Sequence, residues 1–366
     1  MKIAVITMHA IKNYGSALQT YATQRVLEQM GADVKIINYI RKKNLDSNLS
    51  ETWTSGDRGV KKAIKKVILY PTINRWKKVF WNYLYTNVSL SEHTYVEMQD
   101  FEKYPIQADV YCTGSDQVWN SGWNDGIEYP FFLTFAPSDK PKIALSASIG
   151  KSELSVDEIR LIKPLLEKYR YITMREKTGL DLIRAMGINN SALCLDPTLL
   201  LSREQWLEHM KYKDRRKKYV LIYQLNHNTE FDRYAVEFAK RKNLELVRFC
   251  ARFDQKRLPG KSVIIPEVEE FPGLIANAEY VITDSFHATA FSINLNKKFI
   301  SIYPKDYSSR LNDILILTGL ESRHLKSYED FEIADKEIDF SSVNKIIIRE
   351  REKSLNEIRK MLDLCK

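Results

Sequence analysis

The stretch Glu279-Tyr-Val-Ile-Thr-Asp-Ser-Phe-His287 decides the fold, because it reads as a strand, a polar turn and the start of a helix. Residues 280–282 form a short apolar run typical of a buried parallel strand. Residues 288–295 are apolar and helix-like, and residues 298–303 are again strand-like. The polar turn therefore follows the carboxyl end of a strand, which is the edge where open α/β sheets bind ligands.

This turn is unusually rich in hydrogen-bonding side chains. Thr283, Asp284, Ser285 and His287 fall within five residues. The free N–H groups and the dipole of a helix start favour anions at such a place. A helix cap supplied by Asp284 or Ser285 explains one polar residue but not four. We therefore interpret the turn as part of a ligand site, with a cap present in either case.

The strand and helix pattern repeats along both halves of the chain. In the first half, strands are predicted at residues 2–7, 33–39, 108–113, 142–147, 172–174 and 191–196. In the second half, they are predicted at residues 219–224, 244–249, 262–265, 280–282 and 298–303. This order predicts an α/β protein of two open domains with mostly parallel sheets. We assign the domains to residues 1–205 and 216–335, with a linker near 201–218 and a C-terminal helix over 342–366.

Size and composition fit this organisation. The 366 residues are enough for two domain cores, and 44% hydrophobic with 28% charged residues is typical of a soluble globular protein. No apolar run approaches the roughly 20 residues that span a bilayer. The first residues are expected to form a strand and not a signal peptide. The four cysteines form no CxxC pair, so we expect buried thiols in the cytoplasm and no zinc site.

A basic insertion over about residues 41–92 interrupts the first domain. The formal net charge is +9, and eight cationic residues with no acidic one lie between Arg58 and Leu90. Two runs have helical apolar spacing: Val60, Ile64, Val67 and Ile68, then Trp76, Val79, Phe80, Tyr83 and Leu84. Either these apolar faces pack on the domain and the lysines face water, or residues 58–85 lie on an anionic membrane surface. No motif indicates nucleic-acid binding.

The loop after the first strand is a second candidate for ligand binding. It contains Asn13, Tyr14, Gly15 and Ser16. Gly15 permits a tight turn or a close backbone approach to a ligand, and Ser16 can cap the following helix. A single glycine does not make the glycine-rich dinucleotide fingerprint, which argues against a typical NAD enzyme. An ordinary connection between strand and helix explains the loop equally well.

The segment after the strand at 108–113 is a third candidate. Ser115, Asp116 and Gln117 follow a glycine, and Asp116 is a candidate general base or sugar ligand. Trp119 and Trp123 have flat apolar faces of the kind that stack on sugar rings. The alternative is a capped turn with tryptophans in the core.

Two arginines are candidate anion ligands. Arg175 follows a short strand, where a guanidinium can hold a carboxylate or phosphate through two hydrogen bonds. A salt bridge to Glu176 or Asp181 is the alternative. Arg310 ends the run Tyr307-Ser-Ser-Arg310 and is a second candidate clamp, unless it only begins an ordinary helix.

Taken together, these motifs resemble the polysaccharide pyruvyl transferase family. They are Asn13-Tyr-Gly-Ser-Ala-Leu-Gln19, Gly114-Ser-Asp-Gln-Val-Trp119, Arg175-Glu176, Leu195-Asp-Pro-Thr198, Thr283-Asp-Ser-Phe-His287 and Arg310. The resemblance implies two Rossmann-like domains in a GT-B-like arrangement, with the active site in the interdomain cleft. It also implies phosphoenolpyruvate as donor, a sugar diol as acceptor, and a cyclic pyruvate ketal and phosphate as products.

The resemblance also implies roles for individual residues. Arg175 and His287 match positions associated with the donor, and Asp116 matches an active-site acid. Many members have an arginine where this chain has Phe286, and a glycine often follows the histidine where this chain has Ala288. Donor anchoring is then expected to rest on Arg175, Arg310 and backbone N–H groups beside Ser285 and Phe286.

Our hypothesis makes His287 the donor-side acid and Asp116 the acceptor-side base. The acceptor side also includes Asn13, Tyr14, Gly15, Ser16, Ser115, Gln117 and Trp119. We expect no metal and no cofactor, with phosphoenolpyruvate as co-substrate. The acceptor is either free or lipid diphosphate-linked, in bacterial surface polysaccharide synthesis at the inner face of the cell membrane. Two alternatives stay open: a nucleotide-sugar glycosyltransferase of the same fold, and a non-catalytic sugar- or lipid-binding protein.

Overall fold

The computed structural model describes residues 1–210, 218–304 and 308–366. The chain divides into two compact units. The first unit is Met1–Lys42, Leu84–Leu201 and Ile346–Lys366, and the second is Lys43–Tyr83 and Ser202–Lys345. Tyr307, part of the predicted linker at 201–218 and the predicted start of the second domain at 216 lie outside the described residues.

A parallel sheet of seven strands forms the first unit. Its strands are β1 (Lys2–Ile6), β2 (Asp33–Tyr39), β3 (Leu90–Tyr95), β4 (Val110–Thr113), β5 (Lys142–Ala147), β6 (Tyr171–Met174) and β7 (Ser191–Leu193). Their order is β3-β2-β1-β4-β5-β6-β7, with every pairing parallel. β4 and β5 are buried along their whole length, as expected for a parallel sheet covered on both faces.

The second unit has a five-stranded parallel sheet. Its strands are β8 (Tyr219–Tyr223), β9 (Glu245–Cys250), β10 (Lys261–Ile264), β11 (Tyr280–Thr283) and β12 (Lys298–Ser301). Their order is β10-β9-β8-β11-β12. The predicted fold class, α/β with two parallel sheets, is confirmed.

Helices connect the strands in both units. The described α-helices are α1 (Tyr14–Gln29), α2 (Leu49–Trp53), α3 (Gly59–Asn87), α4 (Met98–Lys103), α5 (Ser121–Asn124), α6 (Val156–Leu166), α7 (Lys177–Ala185), α8 (Pro197–Leu200), α9 (Arg203–His209), α10 (Thr229–Arg241), α11 (Glu270–Asn277), α12 (Phe286–Asn294), α13 (Ser309–Thr318) and α14 (Phe340–Asp363). Short 3₁₀ turns lie at Lys42–Asn44, Tyr129–Phe132, Phe253–Arg257, Glu321–Arg323 and Glu332–Ala334. Among the described residues, no helix is both long enough and apolar enough to cross a bilayer.

Each sheet has one point where the strand order reverses. In the first unit the chain fills β1, β2 and β3 toward one edge, then β4 to β7 toward the other, so the reversal lies between β1 and β4. In the second unit it lies between β8 and β11. The carboxyl ends of the strands beside such a point form the crevice that binds ligands in open α/β sheets.

The basic insertion does not belong to the first unit as predicted. Residues Lys43–Tyr83 belong to the second unit, and the two predicted amphipathic helices are one helix, α3, with Pro71 inside it. Arg75 Nε donates to the carbonyl oxygen of Ile265 at 3.0 Å, and Trp76 Nε1 donates to that of Ala251 at 2.7 Å. These contacts attach α3 to the loops that follow β9 and β10.

The last helix also differs from its predicted place as a separate element. Residues Ile346–Lys366, which include most of α14, belong to the first unit. Ser354 Oγ accepts a hydrogen bond from the backbone N–H of Leu195 at 3.0 Å, and Tyr171 donates its hydroxyl to Glu357 at 2.6 Å. Spacing alone predicted the helix but gave no information about its partner.

Candidate functional site

Asp116 and Ser16 form a hydrogen-bonded pair where the first sheet reverses. Asp116 lies just after β4, and Ser16 lies in the first turn of α1. Ser16 Oγ donates to Asp116 Oδ2 at 2.5 Å, and the backbone N–H of Gln117 donates to Asp116 Oδ1 at 2.9 Å. Asn13 caps α1 by accepting from the N–H of Ser16 at 3.2 Å. The predicted capping by Ser16 is therefore wrong, and its hydroxyl is committed to Asp116 instead.

The backbone of Asp116 has a left-handed conformation, with φ of +74°. Short polar side chains tolerate this region better than others, but it still has a free-energy cost of about 1 kcal/mol or more. An isolated parallel bridge to Ala147 holds the residue in place. Gly114, two residues earlier, fits closely against β1 and the residue after it, because a Cβ there would lie 3.2 Å from Val5 Cγ1 and 3.0 Å from Thr7 Cβ. Such strained positions cluster at functional sites, which supports the choice of Asp116.

Arg175 brings three carboxylates together. It directly follows β6, and its Nη1 lies 2.8 Å from Asp196 Oδ2. Its Nη2 lies 3.6 Å from Asp116 Oδ1, and its Nε lies 3.7 Å from Glu176 Oε2. The side chain is 1% exposed. Burial alone lowers the pKa of the guanidinium, but the three carboxylates outweigh burial and raise it above its usual value. Arg175 is therefore a buried cation that positions Asp116.

The carboxylates around Arg175 are themselves held by hydrogen bonds. Asp196 caps α8, its Oδ1 accepting from the N–H of Thr198 at 2.9 Å and from the hydroxyl of Thr198 at 2.6 Å. Glu176 Oε1 accepts from Ser148 Oγ at 2.9 Å and from the N–H of Gly150 at 3.1 Å. The cluster therefore fixes the loops after β5, β6 and β7 as well as Asp116.

The ion-pair partners named from the sequence were incomplete. Glu176 is close to Arg175, but Asp181 pairs with Lys177 at 2.5 Å. The nearest partner, Asp196, was missed in this role although its motif was noted. Asp196 follows a parallel strand, as Arg175 does. This shared position at the end of a strand could have indicated that the two residues lie close together.

The remaining residues of the predicted acceptor side have structural contacts. Ser115 accepts the hydroxyl of Thr7 at its carbonyl oxygen, at 2.7 Å, and Gln117 Oε1 accepts from Asn120 Nδ2 at 2.6 Å. Tyr14 is buried, and Gly15 lies inside the first turn of α1 and not in a tight turn.

Trp119 does not line a sugar site as predicted. Its side chain is 2% exposed in the core of the first unit, with its ring stacked on Phe132 at 5.5 Å. Its Nε1 donates to the carbonyl oxygen of Phe131 at 3.1 Å. Burial leaves no ring face for a sugar, which agrees with the alternative of a core tryptophan. Trp123, at 46% exposed, keeps a face at the surface.

His9, in the loop after β1, is fully buried. Its Nε2 lies 3.0 Å from Asn38 Oδ1, and its Nδ1 lies 3.3 Å from the carbonyl oxygen of Thr7. Burial lowers the pKa of His9 below its ordinary value of 6.5. The folded protein therefore holds a neutral imidazole that the unfolded chain would protonate first.

This histidine makes the free energy of unfolding depend on pH. Because the unfolded chain binds a proton near pH 6.5 and the folded chain does not, stability is expected to fall as the pH drops below 6.5. The limiting slope is about 1.4 kcal/mol per pH unit. His9→Gln can still donate a hydrogen bond to Asn38 but cannot titrate. Its free energy of unfolding, measured with urea at several pH values below 6.5, is therefore expected to change less with pH than that of the native protein. An equally steep profile would contradict the assignment, and exposed His93→Gln is the control.

A second cluster lies where the sheet of the second unit reverses. Thr283 Oγ1 donates to the carbonyl oxygen of Tyr223 at 2.7 Å. Ser285 caps α12 by accepting from the N–H of Ala288 at 3.3 Å. Three of the four polar residues in this turn, including Asp284, therefore have structural hydrogen bonds. The sequence predicted a structural role, as a helix cap, for one of them.

Asp284 connects the loops after β8 and β11. Its carboxylate accepts from the backbone N–H groups of Leu225 at 2.7 Å and Asn226 at 2.9 Å. Burial raises the pKa of Asp284 above its usual value despite these donors. The residue therefore fixes the two loops that flank the reversal point.

His287 and Arg310 both lie close to the ring of Phe286. His287 is the second residue of α12 and is 6% exposed, with its ring 5.3 Å from that of Phe286. Arg310, in the first turn of α13, has its guanidinium carbon 5.7 Å from the Phe286 ring centroid. Arg310 thus brings a cation close to Phe286, the position at which many members of the resembled family have an arginine. A helix amino end, a histidine and a guanidinium together suit an anion.

Comparisons with known proteins agree with this fold and these motifs. The sequence profile of the family described as polysaccharide pyruvyl transferase matches residues 13–307. Comparison with curated proteins finds no significant match. Among solved structures, the MnaA protein of S. aureus in complex with UDP is similar, with 13% identity and a TM-score of 0.55 over 99% of this chain and 97% of that one.

Two further structures have a similar fold. The UDP-GlcNAc 2-epimerase of Methanocaldococcus jannaschii is 13% identical, with a TM-score of 0.50 over 99% of both chains. The spinosyn rhamnosyltransferase SpnG is 10% identical, with a TM-score of 0.50 over 99% of this chain and 100% of that one. At these identities the likeness concerns the fold alone, and it confirms the predicted GT-B class with Rossmann-like domains.

Proposed function

Because the chain belongs to the polysaccharide pyruvyl transferase family, we propose that it transfers the pyruvyl group of phosphoenolpyruvate to a sugar diol. The product is a cyclic pyruvate ketal and the second product is phosphate. In this reaction the methylene carbon of the donor gains a proton, two new C–O bonds form at the adjacent carbon, and the C–O bond to phosphate breaks. One hydroxyl proton ends on the new methyl group and the other on the phosphate.

The observation that carries this proposal is the cation, histidine and helix end around Phe286. Phosphoenolpyruvate has a carboxylate and a phosphate, and both need cationic or N–H partners. Arg310, near Phe286, and the amino end of α12, beside His287, are partners of this kind. We assign the anionic groups of the donor to Arg310 and the helix end, and a proton-donating role to His287.

Asp116 is the proposed base for the acceptor hydroxyls. Ser16, Arg175 and the N–H of Gln117 all favour its charged form, which is the form that accepts a proton. Its rigid support also fits the need to hold a base in one geometry. Arg175 positions this base. The donor contact suggested for Arg175 by family resemblance stays a prediction that kinetics can separate from positioning.

A direct comparison of donors tests the proposed function. The full-length protein is incubated with phosphoenolpyruvate, UDP-sugars or GDP-sugars and a panel of sugar diols, while free phosphate and free nucleotide are measured. We expect phosphoenolpyruvate to be the donor that is consumed, with phosphate released when an acceptor is present. NMR of the product should show a ketal. Release of free nucleotide would favour the glycosyltransferase alternative. Binding of phosphoenolpyruvate with no turnover over any acceptor would favour the non-catalytic one.

The acceptor carrier is a finer part of the proposal. Surface polysaccharides are often assembled on lipid diphosphates at the inner face of the cell membrane, and we propose such a lipid-linked sugar as the acceptor. Higher turnover with a lipid-linked diol than with the same free diol is the expected result. Equal turnover of the two would contradict this part while leaving the pyruvyl transfer itself intact.

A further inference from the structure

One side of α3 faces the protein along the whole helix, but the residues on that side change from lysines to apolar residues at Leu69. From Leu69 onward the apolar side is buried, with Ile73 6% and Trp76 2% exposed. Before Leu69 the apolar side chains face outward: Val60 is 76%, Ile64 56%, Val67 74% and Ile68 47% exposed. At about 100° per residue, these four lie within about 100° of arc, nearly opposite the side that Leu69 occupies. We call these four residues and Tyr70 the outward stripe.

Lys62 and Lys66 lie on the same side of α3 as Leu69 and turn toward the protein, with their side chains 32% and 35% exposed. Lys61 and Lys65 pair with Asp57 at 3.0 and 2.7 Å, and Lys62 and Lys66 pair with Glu51. An ordinary amphipathic helix on a soluble protein has the reverse arrangement, with lysines in water and apolar groups inside. The interpretation in which both apolar faces pack on the domain is therefore wrong for residues 60–68 and right for residues 69–84.

The charge around the outward stripe is positive. Arg58 and the four lysines oppose Glu51 and Asp57, so five cationic and two acidic side chains leave a net charge of +3. Lys61, at 82% exposed, lies about 20° from Ile68 around the helix axis and so borders the outward stripe. Lysine stems can lie along an apolar surface while the ammonium groups reach its charged boundary.

We propose that the outward stripe binds the surface of an anionic lipid membrane. Apolar side chains on one side of a helix enter the headgroup boundary, and flanking lysines attract anionic headgroups. Tyr70, at 67% exposed, and Trp53, at 41% exposed, are the aromatic types that prefer this boundary. Trp53 packs against Trp76 with ring centroids 5.2 Å apart, so it is held beside α3.

A second copy of the chain fits the stripe less well. A symmetric contact would bring the +3 surface against itself, in a protein with a net charge of +9. An anionic bilayer has the opposite charge and an apolar interior. The observations therefore favour lipid over self-association, and this inference does not depend on the reaction that the protein catalyses.

Vesicle flotation tests the proposal with point substitutions. Deleting residues 58–85 would also remove the buried half of α3, so the test variant is Val60→Gln, Ile64→Gln and Val67→Gln. The matched control is Val156→Gln, Ile316→Gln and Ile348→Gln, whose side chains are 83%, 55% and 51% exposed elsewhere. Vesicles of phosphatidylcholine with phosphatidylglycerol are compared with phosphatidylcholine alone.

We expect the native protein and the control to float with the anionic vesicles. The stripe variant is expected to bind at least about tenfold more weakly. Binding should also weaken with salt and on neutral vesicles. Unchanged binding by the stripe variant, or no binding by the native protein, overturns the proposal. A native dimer that the stripe variant converts to monomer, without vesicle binding, would identify a second copy as the occupant. Matching thermal unfolding of all three proteins excludes misfolding as the cause.

Discussion

Replacing Arg175 with alanine is expected to lower the free energy of unfolding by about 3 to 5 kcal/mol. The guanidinium is 1% exposed, and three carboxylates lie within 3.7 Å of it. Removing this cation leaves Asp196 and Asp116 buried with less compensation of their negative charge. Urea unfolding measures the loss. Arg160→Ala is the matched control, because its ion pair with Asp157 is 76% exposed on the arginine side and should contribute less than about 1 kcal/mol.

Kinetics of Arg175→Lys separate positioning from donor binding. Lysine keeps the charge but lacks the planar fork that reaches two carboxylates at once. If Arg175 positions Asp116, kcat should fall by at least about tenfold while the KM for phosphoenolpyruvate changes little. A rise confined to that KM, with kcat and stability preserved, would contradict positioning and favour the donor contact implied by the family.

The sequence was most informative where structure depends on neighbouring residues. The strand at 33–39 and the strand at 142–147 have the predicted bounds, because each contains apolar residues in a short run typical of a strand. The polar residues after β4, β6 and β11 were also found from the sequence. Parallel strands place such residues at one edge of a sheet, so the topology alone brings Asp116 and Arg175 close together.

Partners that are distant in the chain could not be predicted in this way. Ser16 and Asp116 are 100 positions apart, and Arg175 and Asp196 are 21 apart. Helical spacing showed that α3 has an apolar side. It could not show that the part of α3 from Leu69 onward packs against other residues of the second unit. The change at Leu69 from lysines to apolar residues could have been predicted from the sequence, because both sets of residues occupy the same side of the helical wheel. Trp119 was misplaced because periodicity does not tell a core ring from an exposed one.

His287→Ala is expected to lower phosphate release from phosphoenolpyruvate by about 10² to 10⁴-fold, the usual contribution of a positioned acid or base. The side chain is 6% exposed at the second position of α12, beside Phe286 and near Arg310. The variant should unfold at nearly the native urea concentration, since Ser285 still caps the helix and Asp284 still holds the loop. His93→Ala, at an exposed histidine of the first unit, is the control for activity.

The conservative variant His287→Gln distinguishes proton transfer from packing. Glutamine fills a similar volume and can hydrogen-bond, but it cannot exchange a proton near neutral pH. If His287 supplies a proton, this variant should be nearly as slow as His287→Ala, and the limb of the kcat profile that falls with rising pH should disappear. If His287 only packs beside Phe286, glutamine should restore most of the rate with an unchanged profile. Near-native phosphate release by the alanine variant would remove His287 from the chemistry and leave Arg310 and the helix end as a binding site for the donor alone.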